Sequence, residues 1–218
     1  MPPPIALSLL LLHILICINV STSAPIKTFG ILGKKLLARK IENLELEKCE
    51  ELESIILSGG CFWSIELAFQ RIPGVLSTMV GYCGGVLKNP TYRQVSQGNT
   101  NHAESVKITF NSKIIKLSEL LDWFMQELHD PTTKNRAGND VGSQYRSAIF
   151  TSSSEQQLEA VKAVERFESS RPTKAMTEIV SLNETIQFYP AEDYHQRYLE
   201  KLGQSSKKSD PSLIRCYG

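Results

Sequence analysis

The residues best equipped for chemistry are a cysteine behind two glycines, Gly59-Gly60-Cys61, and the aromatic pair Phe62-Trp63 that follows it. A β-prone run at residues 54–58 ends at the glycines, and Ile65, Phe69 and Ile72 then recur at helical spacing, so Cys61 falls where a strand turns into a helix. The unpaired N–H groups and positive dipole end of a helix start favour thiolate over thiol. They predict a Cys61 pKa below the usual ~8.5 and make this sulfur the leading nucleophile. The competing reading is a buried structural cysteine, since free cysteines are among the most buried residues. Phe62 and Trp63 suit either a core or the wall of a small apolar pocket. His102, His129 and His195 carry imidazoles that can bind metal or act as bases. No H-x-x-x-H, H-E-x-x-H or paired C-x-x-C spacing accompanies them, so neither a metal site nor a Cys-His hydrolase is expected.

The elements that must position Cys61 follow from periodicity. Pro73-Gly74 stops the first helix, residues 75–82 read as a second strand, and Val106, Ile108 and Phe110 alternate with polar neighbours in a half-buried third. Leu117, Leu120, Leu121, Phe124 and Leu128 stripe a helix that Asp130-Pro131 breaks into a polar loop, and residues 147–150 give a fourth strand. Leu158, Val161, Val164 and Phe167 stripe another helix. Residues 178–182 and 185–189 then read as strands around an Asn183-Glu184 turn, and residues 191–202 as a last helix. The order from 54 to 150 predicts an α+β fold: a two-layer split βαβ (ferredoxin-like) sandwich with a mainly antiparallel sheet and a C-terminal extension.

Lys and Arg total 24 against 23 Asp and Glu, so no overall basic field exists to attract nucleic acid. The first 26 residues carry none of these charges, and residues 5–20 form an apolar run broken only by Ser8, His13 and Asn19. At about 1.5 Å per residue a helix of that length falls short of a hydrocarbon core of roughly 30 Å. With the small residues that follow, the run reads as a signal peptide cleaved after Ser23, with an uncleaved membrane anchor as the alternative. The expected location is the secretory pathway, the endoplasmic reticulum lumen or outside the cell. Cys17 would leave with the signal, while Cys49, Cys61, Cys83 and Cys216 would remain where disulfides are permitted, too sparse for a disulfide-built mini-domain. On this route Asn183-Glu184-Thr185 is a glycosylation acceptor. The expected organisation is a signal at 1–23, an N-terminal extension at 24–53, a catalytic domain at 54–202 and a flexible tail at 203–218 carrying Cys216.

The chain resembles the type A methionine sulfoxide reductases, which reduce the S-epimer of methionine sulfoxide. The resemblance runs through Gly59-Gly60-Cys61-Phe62-Trp63, Val80-Gly81-Tyr82, Gly84-Gly85, Pro90-Thr91-Tyr92, His102-Ala103-Glu104 and His129-Asp130-Pro131-Thr132. It continues through Asn139-Asp140-Val141-Gly142-Ser143-Gln144-Tyr145-Arg146-Ser147 and Phe188-Tyr189-Pro190-Ala191-Glu192-Asp193-Tyr194-His195-Gln196. It implies nucleophilic attack by Cys61 on free or peptidyl sulfoxide, proton donation by a Glu104 kept protonated in an apolar site, and a sulfenic acid on Cys61. By the same matching Tyr92 and Tyr145 hydrogen-bond the sulfoxide oxygen, Phe62 and Trp63 receive the substrate methyl group, and Asp140 orients the site. The three histidines position loops through hydrogen bonds. Cys216 is the implied resolving cysteine, with Cys83 second and Cys49 third. The family further implies a monomer that needs no metal or organic cofactor and takes electrons from thioredoxin or a similar dithiol. Two positions depart from the family pattern: Ser64 stands where glycine is usual, and Cys83 where a small residue without a thiol is usual. Another thiol-dependent enzyme such as a peroxidase, or a silent module that only binds oxidised methionine, are the competing functions.

Overall fold

The computed structural model describes residues 52–216. The expected signal peptide, most of the N-terminal extension, Cys17 and Cys49 lie outside the described residues. The first half runs β1 (Leu52–Ser58), α1 (Phe62–Gln70), β2 (Val75–Cys83), α2 (Tyr92–Ser96), β3 (Ala103–Asn111) and α3 (Leu117–Trp123). A π-helical turn, Phe124–Leu128, extends α3. After the short β4 (Arg136–Ala137) and β5 (Asp140–Val141) come β6 (Ala148–Thr151), α4 (Ser154–Ser170), β7 (Glu178–Ser181), β8 (Tyr189–Pro190) and α5 (Tyr198–Lys201).

Six strands form one sheet in the order β7-β6-β1-β3-β2-β8, with every pairing antiparallel except β6 with β7. The inner order β6-β1-β3-β2, with α1 and α3 as the crossovers, is the expected split βαβ sandwich. Apolar residues of one sheet face, among them Leu57, Tyr82, Val106, Ile108 and Ile149, pack against Phe62, Ile65 and Phe69 of α1 and Leu120, Leu121 and Phe124 of the α3 region. Because successive strand residues point to opposite faces, Cys83 beside Tyr82 faces the other side, in a smaller cluster with Ile56, Ala148 and Phe150.

Three elements differ from the sequence reading, each for a physical reason. The face that α4 buries carries Ala160, Ala163 and Phe167, while the expected Leu158 and Val161 are 54% and 38% exposed. Two alanines let the helix backbone approach its neighbours closely, a geometry that a count of large apolar residues misses. No hairpin forms around Asn183. Its side-chain Oδ1 accepts from the N–H groups of Thr185 and Ile186 (2.8 and 2.9 Å), ending β7 in a tight turn. The chain then covers the small cluster with Ile186 and Phe188 and reaches the opposite sheet edge as β8. The last helix shrinks to α5, because residues before it bond elsewhere. The Gln196 amide accepts from Val80 N–H and donates to Val80 O, both at 2.9 Å, serving as a side-chain extension of the sheet edge. Arg197 turns into the left-handed region at φ 53° and donates its N–H to Glu66 Oε2 at 2.8 Å.

Candidate active site

Cys61 occupies the residue before the first turn of α1, as its position after β1 predicts. Gly60, at φ +116°, makes the turn; a side chain there would meet the Ala137 methyl at 2.7 Å. Ser64 Oγ donates to the Cys61 carbonyl at 2.9 Å, so the serine in place of glycine braces the helix start.

Glu104 stands on β3 opposite Tyr82 of β2 and is buried. Its Oε2 accepts from the Phe62 N–H at 3.0 Å, one of the donors that a helix start leaves unpaired. Burial outweighs that hydrogen bond, and the nearby Asp140 adds repulsion, so the carboxyl is pushed up to about 8. It therefore keeps its proton at neutral pH. Tyr92 begins α2 and Tyr145 ends a 3₁₀ turn, Ser143–Tyr145. Both phenols are half-buried, and burial together with the repulsion of Glu104, Asp140 and Cys61 raises their pKa values. Neither hydroxyl has a hydrogen-bond partner among the described residues, which leaves both open to a polar ligand. The fold thus brings Cys61, Glu104, Tyr92, Tyr145 and Asp140 into one electrostatically connected group.

The aromatic pair divides. Phe62 is 1% exposed, and its ring lies among Trp63, Tyr82 and His195, so it backs the site from within the core. Trp63 is half-buried, stacks on Tyr198 at 4.1 Å and donates Nε1–H to His195 Nδ1 at 3.2 Å. His195 packs against Tyr92 at 4.5 Å between ring centres. His102 accepts from Gly85 N–H and bonds Leu87 O, fixing the glycine-rich loop after β2. His129 stacks on Phe124 and spans Phe124 O and Ser147 Oγ, and burial pushes it down to about 4. His102 and His129 thus fix loops through hydrogen bonds, while His195 holds the Trp63 ring. Among the described residues, no group of three or more His, Cys, Asp or Glu is placed to hold a metal ion.

The tail brings the second sulfur. Cys216 Sγ lies 3.1 Å from Cys61 Sγ, hydrogen-bonded to it, where a disulfide would need about 2.05 Å. A cleft of about 320 Å³ beside the pair is lined by residues that include Gly60, Cys61, His129, Asp140, Ile214 and Cys216. This contact reverses one expectation. The Trp63 N–H does favour ionisation of Cys61, as a helix start should, but the bond to Cys216, burial and the Glu104 carboxyl together push the Cys61 thiol up. With the tail docked, Cys61 is held as a thiol. Cys83 is fully buried on the far face of the sheet, and burial pushes it up to about 12, so the second-ranked resolving candidate is an inert core thiol.

Sequence reasoning assigned no role to two carboxylates that tie distant segments together. Glu192 accepts from the Tyr82 hydroxyl at 2.8 Å and from the Tyr92 N–H at 2.9 Å, seating α2. Glu66, buried in α1, accepts from Thr78 Oγ and Arg197 N–H. Glu192 sits inside a motif already noted; its partners, about a hundred residues upstream, give no local signal.

A cysteine at a helix start, a protonated carboxyl behind it and a second thiol in contact define a dithiol redox site on an α+β scaffold. The family model described as "Peptide methionine sulfoxide reductase" matches residues 53–215, and the chain belongs to that family. It is 48% identical over 169 residues to peptide methionine sulfoxide reductase A2-1 of Oryza sativa, covering 78% of this chain and 88% of the relative. It is 51% identical over 156 residues to the peptide methionine sulfoxide reductase MsrA of Methanosarcina mazei, covering 71% and 72% of the two. The solved methionine sulfoxide reductase A of Corynebacterium diphtheriae superposes with a TM-score of 0.65 at 38% identity, covering 75% of this chain and 82% of that one.

Proposed function

We propose that this chain is a thiol-dependent reductase that converts methionine S-sulfoxide, free or in oxidised proteins, to methionine, with Cys61 as nucleophile and Glu104 as acid. The Cys61 sulfur attacks the sulfoxide sulfur while Glu104 supplies the proton that makes the departing oxygen neutral. Tyr92 and Tyr145 donate to that oxygen as charge builds on it, and Trp63, backed by Phe62, packs against the substrate methyl. Asp140 sits at the polar edge of the group and orients it. Oxygen passes to Cys61 as a sulfenic acid and methionine leaves. Cys216 then condenses with Cys61 to a disulfide, releasing water, and thioredoxin or a similar dithiol reduces the pair.

The observation that carries this reading is what surrounds Cys61: a buried carboxyl that keeps its proton and is hydrogen-bonded to the next residue's N–H, and a thiol 3.1 Å from the Cys61 sulfur. A peroxidase needs no protonated carboxyl paired with two unengaged phenols. The test is turnover of the separate R- and S-epimers with dithiothreitol as reductant, alongside Cys61→Ser. S-selective release of methionine that the variant lacks supports the reading. Equal use of both epimers, or full activity in Cys61→Ser, overturns it.

The apolar, uncharged leader supports a secretory location. Protein expressed through a secretory host should begin at Ala24, and a mature chain starting at residue 1 contradicts this.

A further inference from the structure

We propose that Arg71, together with Gln204, is the positioning device of the resolving step: a clamp that fixes the tail with Cys216 on Cys61 and sets how fast the disulfide forms. The inference rests on the roles of Cys61 and Cys216 given above and adds residues that neither touch substrate nor carry sulfur.

Arg71 follows the last turn of α1 and is only 8% exposed. No carboxylate among the described residues pairs with it. Its guanidinium donates instead to the tail: Nε to Ser205 O at 2.9 Å, Nη1 to Ser212 O and Nη2 to Ser212 Oγ at 3.2 Å. Its own carbonyl accepts from Ser209 N–H at 2.7 Å. A planar fork with donors on three nitrogens holds two separated points of one loop at once in a fixed geometry. Asp210 shapes the gripped segment, its Oδ1 accepting from Ser212 N–H and Oγ. Lys208 donates Nζ–H to Gln70 O and Val75 O, tying the same loop to the end of α1 and the start of β2.

Gln204 closes the loop one residue short of the sulfur. Its Nε2 donates to Arg215 O at 2.6 Å and its Oε1 accepts from Arg215 N–H at 3.0 Å, a two-point grip on the backbone that carries Cys216. The fastening is polar; Leu213 in this segment is 80% exposed. The tail expected to hang flexibly is therefore held as a closed loop, with Arg71 as its hub and Cys216 at its delivered end.

The step it serves balances without outside electrons. The Cys216 sulfur bonds to the Cys61 sulfur, the S–O bond of the sulfenic acid breaks, and the hydroxide leaves with the Cys216 proton as water; Cys61 is reduced and Cys216 oxidised. Prior placement of the attacking sulfur removes the search that a loose tail would need. The same clamp keeps Cys216 in contact with the Cys61 sulfur, so it opposes the approach of substrate to that atom. Loosening it should slow the second step and leave the first unchanged or faster, whereas a merely damaged fold would slow both.

The test mixes reduced full-length enzyme with one equivalent of methionine S-sulfoxide and no reductant. It compares wild type, Arg71→Leu and Gln204→Leu by methionine released, dimedone-trapped sulfenic acid, and the Cys61–Cys216 disulfide in quenched samples. The proposal expects methionine release at the wild-type rate or above in both variants, disulfide formation slowed about tenfold or more, and a sulfenic adduct that accumulates. Disulfide formation at the wild-type rate in both variants overturns it, as does a matched fall in methionine and disulfide. Should Arg71→Leu fail to fold, Gln204→Leu, at the surface of the tail, decides alone by the same criteria. Wild-type enzyme that releases no methionine would overturn the functional reading instead, so the two failures are distinguishable.

Discussion

Cys61 is approached from two sides that are built differently. On one side, Glu104 sits on a central strand of the sheet, buried, with its carboxyl tied to the first turn of α1. On the other, Cys216 arrives on a tail fastened by hydrogen bonds from Arg71, Lys208 and Gln204, with little apolar surface beneath it. On the proposed mechanism the acid must meet the same transition state in every turnover, and a place on a central strand keeps it there. On the same mechanism the second sulfur withdraws to admit substrate and later returns. A set of bonds that can be exchanged for water without exposing a core permits this, since such bonds contribute only about 1–3 kcal/mol each net. Rigidity and release are assigned to different kinds of structure around one sulfur.

The largest effect should come from the rigid side. Glu104→Gln removes the proton donor while keeping an acceptor for Phe62 N–H, and sulfoxide reduction at pH 7 should fall about a hundredfold or more by kcat/KM. The same variant sharpens the comparison through stability. In the wild type, protonation of Glu104 favours the folded state, so its contribution is complete below the unfolded value near 4.3 and is lost as pH rises through about 8. Denaturant titrations should show the stability of wild type relative to Glu104→Gln falling across that window. Tyr92→Phe and Tyr145→Phe, each removing one donor to the oxygen, should each lower kcat about tenfold with little change in KM.

The tail side should show a change in character more than in rate. Cys216→Ala removes the largest cause that raises the Cys61 pKa and leaves the helix-start N–H in place, so alkylation of Cys61 by iodoacetamide should shift to lower pH than in the wild type. The same variant should release one methionine per enzyme and then stop when thioredoxin is the reductant. Unchanged alkylation would show that the tail does not govern the nucleophile.

How much of this was legible in the sequence follows from the range of the interactions. The glycine pair before a helical stripe is local, so Cys61 at a strand-to-helix turn could be read directly, as could the alternation that sets the sheet. The roles of Glu104, Tyr92, Tyr145 and Asp140 came only from resemblance; a glutamate at a strand start is ordinarily exposed, and nothing near it in sequence announces that α1 will bury it. Arg71, Glu192 and Gln204 were illegible, because the first two meet partners on segments about a hundred or more residues away, and Gln204 meets its own only through the loop they close. The expected low pKa of Cys61 was a sound inference from the helix start alone. It fails in the docked state because a contact spanning 155 residues outweighs it. In α4 and the Asn183 turn, small side chains and side-chain-to-backbone bonds replaced the large apolar pattern that periodicity tracks.

The central claim is that the carboxyl behind Cys61 still holds its proton at neutral pH, and the most direct test is a pH titration of the protein with carbon-13 at its glutamate carboxyl carbons, followed by NMR. One resonance, absent from Glu104→Gln, should titrate near about 8. If the resonance that disappears in that variant instead titrates at the ordinary glutamate value of about 4.3, Glu104 is ionised during catalysis and the account is wrong.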